Sequence, residues 1–182
     1  MVDQLKAEHN VDVDWRPYYL RPDTPPEGME LPDYILKARA NGSDERLRSM
    51  ADMHGMEFKS TERILNTRIA HEATEYAREH GKVNEFHKVV FRKVYADGQD
   101  ISKWDVLRSA AGEVGLNADD MQSVVDGGRY TDQVAEQVRW AQQIGVTGVP
   151  TYVINDRYAI VGAQPYEAFK NALDQISKMK DG

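Results

Sequence analysis

Gly145–Asn155 reads GVTGVPTYVIN, and the spacing of apolar residues changes across it. Before it, Val134, Val138, Ala141 and Ile144 recur at helical intervals from a start at Thr131, and Gly145 ends the stripe. After it come two short runs rich in β-branched and aromatic residues, TYVI (Thr151–Ile154) and YAIV (Tyr158–Val161), separated by Asn155–Arg157. Such runs with a turn between them predict a hairpin, although Asn-Asp is a weaker turn signal than Asn-Gly. A last amphipathic helix follows, with Pro165 in its first turn and Phe169, Ala172, Leu173 and Ile176 on one stripe. Helix, hairpin and helix in succession predict an α/β domain.

Working outward, the opening VDQLKAEHN suits the last turns of a helix. VDVDWRPYYL then alternates Val11, Val13 and Trp15 with Asp12, Asp14 and Arg16, which predicts a half-buried strand. Pro17 ends ladder pairing, and RPDTPPEG is a stiff loop. From Leu31 to about Val125 the pattern is helical, with no repeat. Leu47, Met50, Ala51 and His54 form one stripe before Gly55. Ile69, Ala70, Ala73, Tyr76 and Ala77 form a second, and Val83, Phe86, Val90 and Val94 a third; all are expected to be buried. Ser102 and Asp105 resemble a capping box for a helix carrying Trp104, Leu107 and Ala111, and Asn117 is the expected cap of a short helix through Val125. The expected organisation is residues 1–30 and 131–182 as one α/β domain, interrupted by an all-helical insertion over 31–130.

Composition narrows the function. The 182 residues carry a net charge of −7 with both signs interspersed, which leaves no basic stripe for nucleic acid. No run approaches the ~20 apolar residues that span a bilayer, and MVDQLKAEHN lacks the apolar core of a secretion signal, so no membrane partner and a cytoplasmic location are expected. There is no cysteine, which excludes disulfides, thiolate metal sites and thiol chemistry within these residues.

The segments WRPYYL, PDTPPEG, NTRIAHEATEYAREHGK, KVVFRKVYADGQDIS, VLRSAAGEVGL and GVTGVPTYVINDRYAIVGAQPYEAF occur in an order that resembles the FrnE-like branch of the DsbA family. That branch lies in the thioredoxin superfamily, near 2-hydroxychromene-2-carboxylate isomerase and kappa-class glutathione transferase. The resemblance covers Val11 to Met179 and implies a thioredoxin-like fold with a helical insertion and an ancestral thiol–disulfide exchange activity. It also implies that Val149, before a cis Pro150, pairs by main chain with a bound peptide or glutathione. Read from the residues alone, Pro150 is equally an ordinary trans proline opening a strand. Ala163 and Gln164, in GAQP before the last helix, could present amides to a carboxylate, or simply cap that helix. Asn66 could face a substrate in the same family arrangement, although helix capping is the plainer role.

The family opens with a strand leading into a helix that starts at a CxxC motif, whereas this chain opens on what resembles the rear of that helix. The expectation is therefore a member lacking its first strand and the start of its first helix, redox-inactive as it stands because exchange needs a thiolate. A neighbouring copy could fill the gap, as a homodimer or a strand-swapped oligomer. Two alternatives stay open: a glutathione-dependent isomerase or transferase relative, and a non-enzymatic peptide-binding module. The partners to expect are a peptide or thiol substrate, or glutathione, with no other cofactor. HEATE at His71–Glu75 fails the zinc-protease pattern, because position 75 is not histidine, and the remaining histidines have no ligand spacing.

Overall fold

The computed structural model describes residues 2–53 and 55–180. In chain order the elements are α1 (Val2–Glu8), β1 (Met29–Glu30), α2 (Asp33–Ala40), α3 (Ser43–Asp52), β2 (Arg63–Ile64), α4 (Arg68–Glu79), α5 (Val83–Tyr95), α6 (Trp104–Glu113), α7 (Ala118–Asp126), α8 (Thr131–Gln143), β3 (Thr151–Ile154), β4 (Tyr158–Val161) and α9 (Tyr166–Lys180). The chain divides into two compact units, Met1–Leu20 with Gln137–Gly182, and Arg21–Glu136, the second boundary falling inside α8.

In the Arg21–Glu136 unit the core is built from the stripes of α4 to α7. Ala70, Ala73, Tyr76 and Ala77 of α4 are buried with Phe86, Val90 and Val94 of α5, Leu107, Ala110 and Ala111 of α6, and Met121 and Val125 of α7. Alanines at these positions let helix backbones approach closely, while Phe86, Leu107 and Met121 are among the largest fully buried side chains. Two carboxylates of α4 are also buried, and both are satisfied. Glu72 accepts from Arg68 Nη1 at 2.9 and 3.0 Å and from Thr131 Oγ1 at 3.1 Å. Glu75 accepts from Arg78 Nε at 3.0 Å and Gln133 Nε2 at 2.7 Å. Asn117 caps α7, its side-chain oxygen accepting the N–H groups of Asp119 and Asp120 at 3.1 Å.

Four expectations need correction. The cap of α6 is Lys103, with no side-chain bond, so Ser102 lies one residue too early for a capping box, and Asp100 Oδ1 instead accepts its N–H at 2.9 Å. The α3 stripe is not buried: Leu47 is 46% and Met50 52% exposed. Helices α2 and α3 pack chiefly on each other, and two short helices provide no surface broad enough to cover both apolar faces. His54, counted in that stripe, lies outside the described residues. The block is also not wholly helical, since β1 and β2 form an antiparallel ladder pairing Met29 with Ile64 and Glu30 with Arg63.

The fourth correction concerns Val11–Trp15, which carries no strand. Alternation creates a strand only where a second strand runs alongside, and among the described residues no strand pairs with Val11–Trp15. The segment is held by side chains instead. Arg16 lies 4.3 Å over the Trp140 ring, and the Tyr18 hydroxyl donates to the Val146 carbonyl at 3.0 Å. In the same unit β3 and β4 form the expected hairpin, and Leu5, Val138, Ala141, Phe169 and Ile176 are buried. Tyr152 meets Phe169 edge-on at 4.6 Å, fixing one face of the hairpin on α9. Asn155 and Asp156 both have φ +53°, the left-handed pair that a tight hairpin turn requires.

Candidate functional site

The hairpin builds a small exposed site at its entry. The Val149–Pro150 peptide bond is cis. Thr151 Oγ1 donates to the Gly148 carbonyl at 2.7 Å, and the Gly162 N–H donates to the Pro150 carbonyl at 2.8 Å. Val149 is thus tethered on both sides while being 51% exposed itself. Among the described residues neither its N–H nor its C=O has a hydrogen-bond partner.

The Gly162–Pro150 bond brings the Val149 loop beside the start of α9. Gly162 has φ +82°, a conformation that a side chain would strain, and it turns the chain out of β4. Gln164 Nε2 donates to the Val161 carbonyl at 3.0 Å, which fixes its side chain, whereas the main-chain N–H groups of Ala163 and Gln164 have no partner among the described residues. Both residues are exposed, and they precede a helix whose dipole favours negative charge at that end. Four of the five candidate residues, Val149, Pro150, Ala163 and Gln164, therefore belong to one cluster.

Asn66 belongs to the other unit. Its Nδ2 donates to the Thr24 carbonyl at 2.7 Å, and its Oδ1 accepts the N–H of Arg68, the first residue of α4, at 3.0 Å. Both ends of the amide are used in holding the start of that helix.

Sequence reasoning passed over one feature of the hairpin. On the face opposite the Tyr152–Phe169 contact, Ile144, Val146, Thr151, Val153, Tyr158 and Val161 help line an open cleft of about 130 Å³. The signal for it was the period of two in TYVI, which sends Thr151 and Val153 to the side that Tyr152 does not occupy. Burial raises the pKa of the Tyr152 hydroxyl, which stays protonated on the closed face. Among the described residues no cluster of three His, Asp or Glu side chains could hold a metal ion, and no described helix is long and apolar enough to cross a membrane.

With this geometry in place, the family can be read. The model of the DSBA-like thioredoxin domain matches residues 1–174. The chain belongs to the DSBA-like thioredoxin domain family. The Bacillus subtilis (strain 168) protein YwbO is 29% identical over 174 residues, 94% of this chain and 85% of its own length. Among solved structures, a probable DsbA oxidoreductase from Streptomyces coelicolor superposes with a TM-score of 0.77 at 27% identity, over 88% of this chain and 73% of that one. A 2-hydroxychromene-2-carboxylate isomerase gives a TM-score of 0.79 at 16% identity, over 99% and 88% of the two chains. The fold of this DSBA-like chain is accordingly thioredoxin-like with a helical insertion, and its family is one of thiol–disulfide oxidoreductases.

Proposed function

We propose that these 182 residues hold an extended peptide or a thiol-bearing peptide such as glutathione, and do not themselves carry out thiol–disulfide exchange. The observation that carries the binding half is Val149, exposed, tethered on both sides, and offering a free N–H and C=O. The chemical half follows from composition: the attacking group in exchange is a thiolate, and the chain contains no cysteine. The unpartnered N–H groups of Ala163 and Gln164 favour a ligand carboxylate next to the same loop, which supports glutathione as one such ligand.

Amide chemical shifts recorded during titration with glutathione and with a short unstructured peptide test the binding half. The Val149 N–H signal is expected to move with either ligand, and the Ala163 and Gln164 signals with glutathione. Titrations that leave Val149 unmoved by both would remove the reading. An insulin-reduction assay tests the chemical half, with no turnover expected from the purified chain. Measurable turnover would overturn that part.

A further inference from the structure

Three of the seven methionines, Met50, Met53 and Met56, fall within seven residues, and none of the three serves the core. Met121 is fully buried, as a methionine that fills a packing gap should be, whereas these three are 52%, 76% and 57% exposed. Their thioether lone pairs are open to solvent.

The local fold gathers them at the end of α3, in the Arg21–Glu136 unit. Met50 lies in the last turn of that helix, and Met53 follows three residues later, still in right-handed helical conformation at φ −60°. Residues so spaced leave one face of a helix, roughly 5–6 Å apart at Cβ. The chain then reverses at Gly55, whose φ is +66°. The Gly55 N–H donates to the Asp52 carbonyl at 3.0 Å and the Met56 N–H to the Ala51 carbonyl at 3.0 Å, the paired bonds that fold a chain back over a helix end. The next residues return along α3, and Ser60 Oγ donates to the carboxylate of Asp44 in its first turn. Met56 is thereby held against the end of the helix that carries Met50 and Met53.

The electrostatics of this end favour a cation. From Ser49 to Phe58 there is no lysine or arginine, and the charged side chains are Asp52 and Glu57, both negative. A helix C-terminus carries about half a negative charge, and the last turn of α3 has no basic side chain to offset it. Thioethers are soft, uncharged donors that select Cu(I) over hard cations such as magnesium and calcium. With no cysteine present, methionine is the only sulfur ligand that these 182 residues offer.

We propose that Met50, Met53 and Met56 form a thioether site for a soft monovalent cation, Cu(I) or Ag(I), at the end of α3. The three sulfurs coordinate the ion, the flexible methionine stems adjusting to its radius, and the Asp52 and Glu57 carboxylates attract its charge. No thioether has to lose a proton first, so binding does not weaken in mild acid as it does at imidazole or thiolate sites.

Titration of the full chain, labelled at its methionine methyl carbons, with silver nitrate in chloride-free buffer tests the site. The methyl signals of Met50, Met53 and Met56 are expected to move together and to saturate at one equivalent, with those of Met29 and Met121 unmoved. Met53→Leu keeps the volume and apolar character of the side chain and is expected to weaken binding at least about tenfold, no less than the loss of an outer-shell partner costs a metal site. Met29→Leu leaves binding unchanged, and the parent binds equally well at pH 5. The methyl titration uses the unaltered protein, so it decides even if Met53→Leu fails to fold. Shifts spread over all the methionines, or Met53→Leu binding like the parent, show adventitious association and overturn the site. Binding lost at pH 5 assigns the ion to imidazole or carboxylate and also overturns it. Methyl signals that respond to protein concentration and not to silver assign the exposed methionines to contact between copies, with the same consequence.

Discussion

Lowering the pH from 7.5 to 5.5 should cost the protein stability through one identifiable group, His87 on α5. Its ring stacks on Phe91 with centroids 4.3 Å apart, and partial burial pushes its pKa down from 6.5 to about 4. Between those two values the unfolded chain binds a proton that the folded chain does not, so stability falls as pH drops through 6.5 and stops falling below about 4. At pH 5.5 the unfolded imidazole is protonated about ten to one while the folded one is neutral, which corresponds to about 1.4 kcal/mol. Solvent reaching the partly exposed ring reduces this to about 1 kcal/mol, still roughly fivefold in the folded-to-unfolded ratio. Urea denaturation of the parent and of His87→Gln, followed by far-ultraviolet circular dichroism from pH 7.5 to 5.5, isolates the term, because every other titration is common to both proteins. The parent is expected to lose about 1 kcal/mol relative to the variant across this window. Parallel stability curves would refute the argument.

Three further substitutions probe other physical terms. Gly28→Ala should destabilise by about 2 kcal/mol or more in urea denaturation, since Gly28 has φ +75° and an added Cβ would lie 2.5 Å from the Ile64 carbonyl oxygen. Glu75→Ala leaves the Arg78 guanidinium and the Gln133 amide without their buried acceptor, and a loss of about 2 kcal/mol is expected by the same measurement. Asn117→Ala removes the acceptor of two N-terminal amides of α7 and should lower stability by about 1 kcal/mol, with Asn117→Asp retaining most of it.

What could be read in advance depended on whether a pattern carries its own partner. The stripes of α4 and α5 were legible because a helix satisfies its backbone internally, and its apolar face then needs only another such face. The hairpin was legible for a related reason, its two strands and their turn lying within eleven residues. Val11–Trp15 shows the limit: its alternation is as clean as that of TYVI, but a strand is a property of two segments, and among the described residues none pairs with it. The α3 stripe fails in the same way, since amphipathicity says which face would be buried and nothing about what covers it. At the site, the resemblance indicated Val149 and the residues before the last helix, but the bond that joins them, Gly162 N–H to Pro150 C=O, follows from the hairpin register and not from any motif.

That bond also explains how recognition and chemistry can separate in one fold. Thiol exchange depends on a sulfur side chain at one position, and these 182 residues contain no cysteine. Main-chain recognition depends on backbone groups, which every residue except proline supplies, and on the absence of anything that covers or repels there. The two requirements share no atom. The N–H and C=O of Val149 do not depend on any sulfur, and no residue from Gly145 to Asn155 is charged. Binding by these residues is therefore expected to depend on the Val149 main chain and to be indifferent to thiol reagents, which amide chemical shifts recorded with and without an alkylating agent would check.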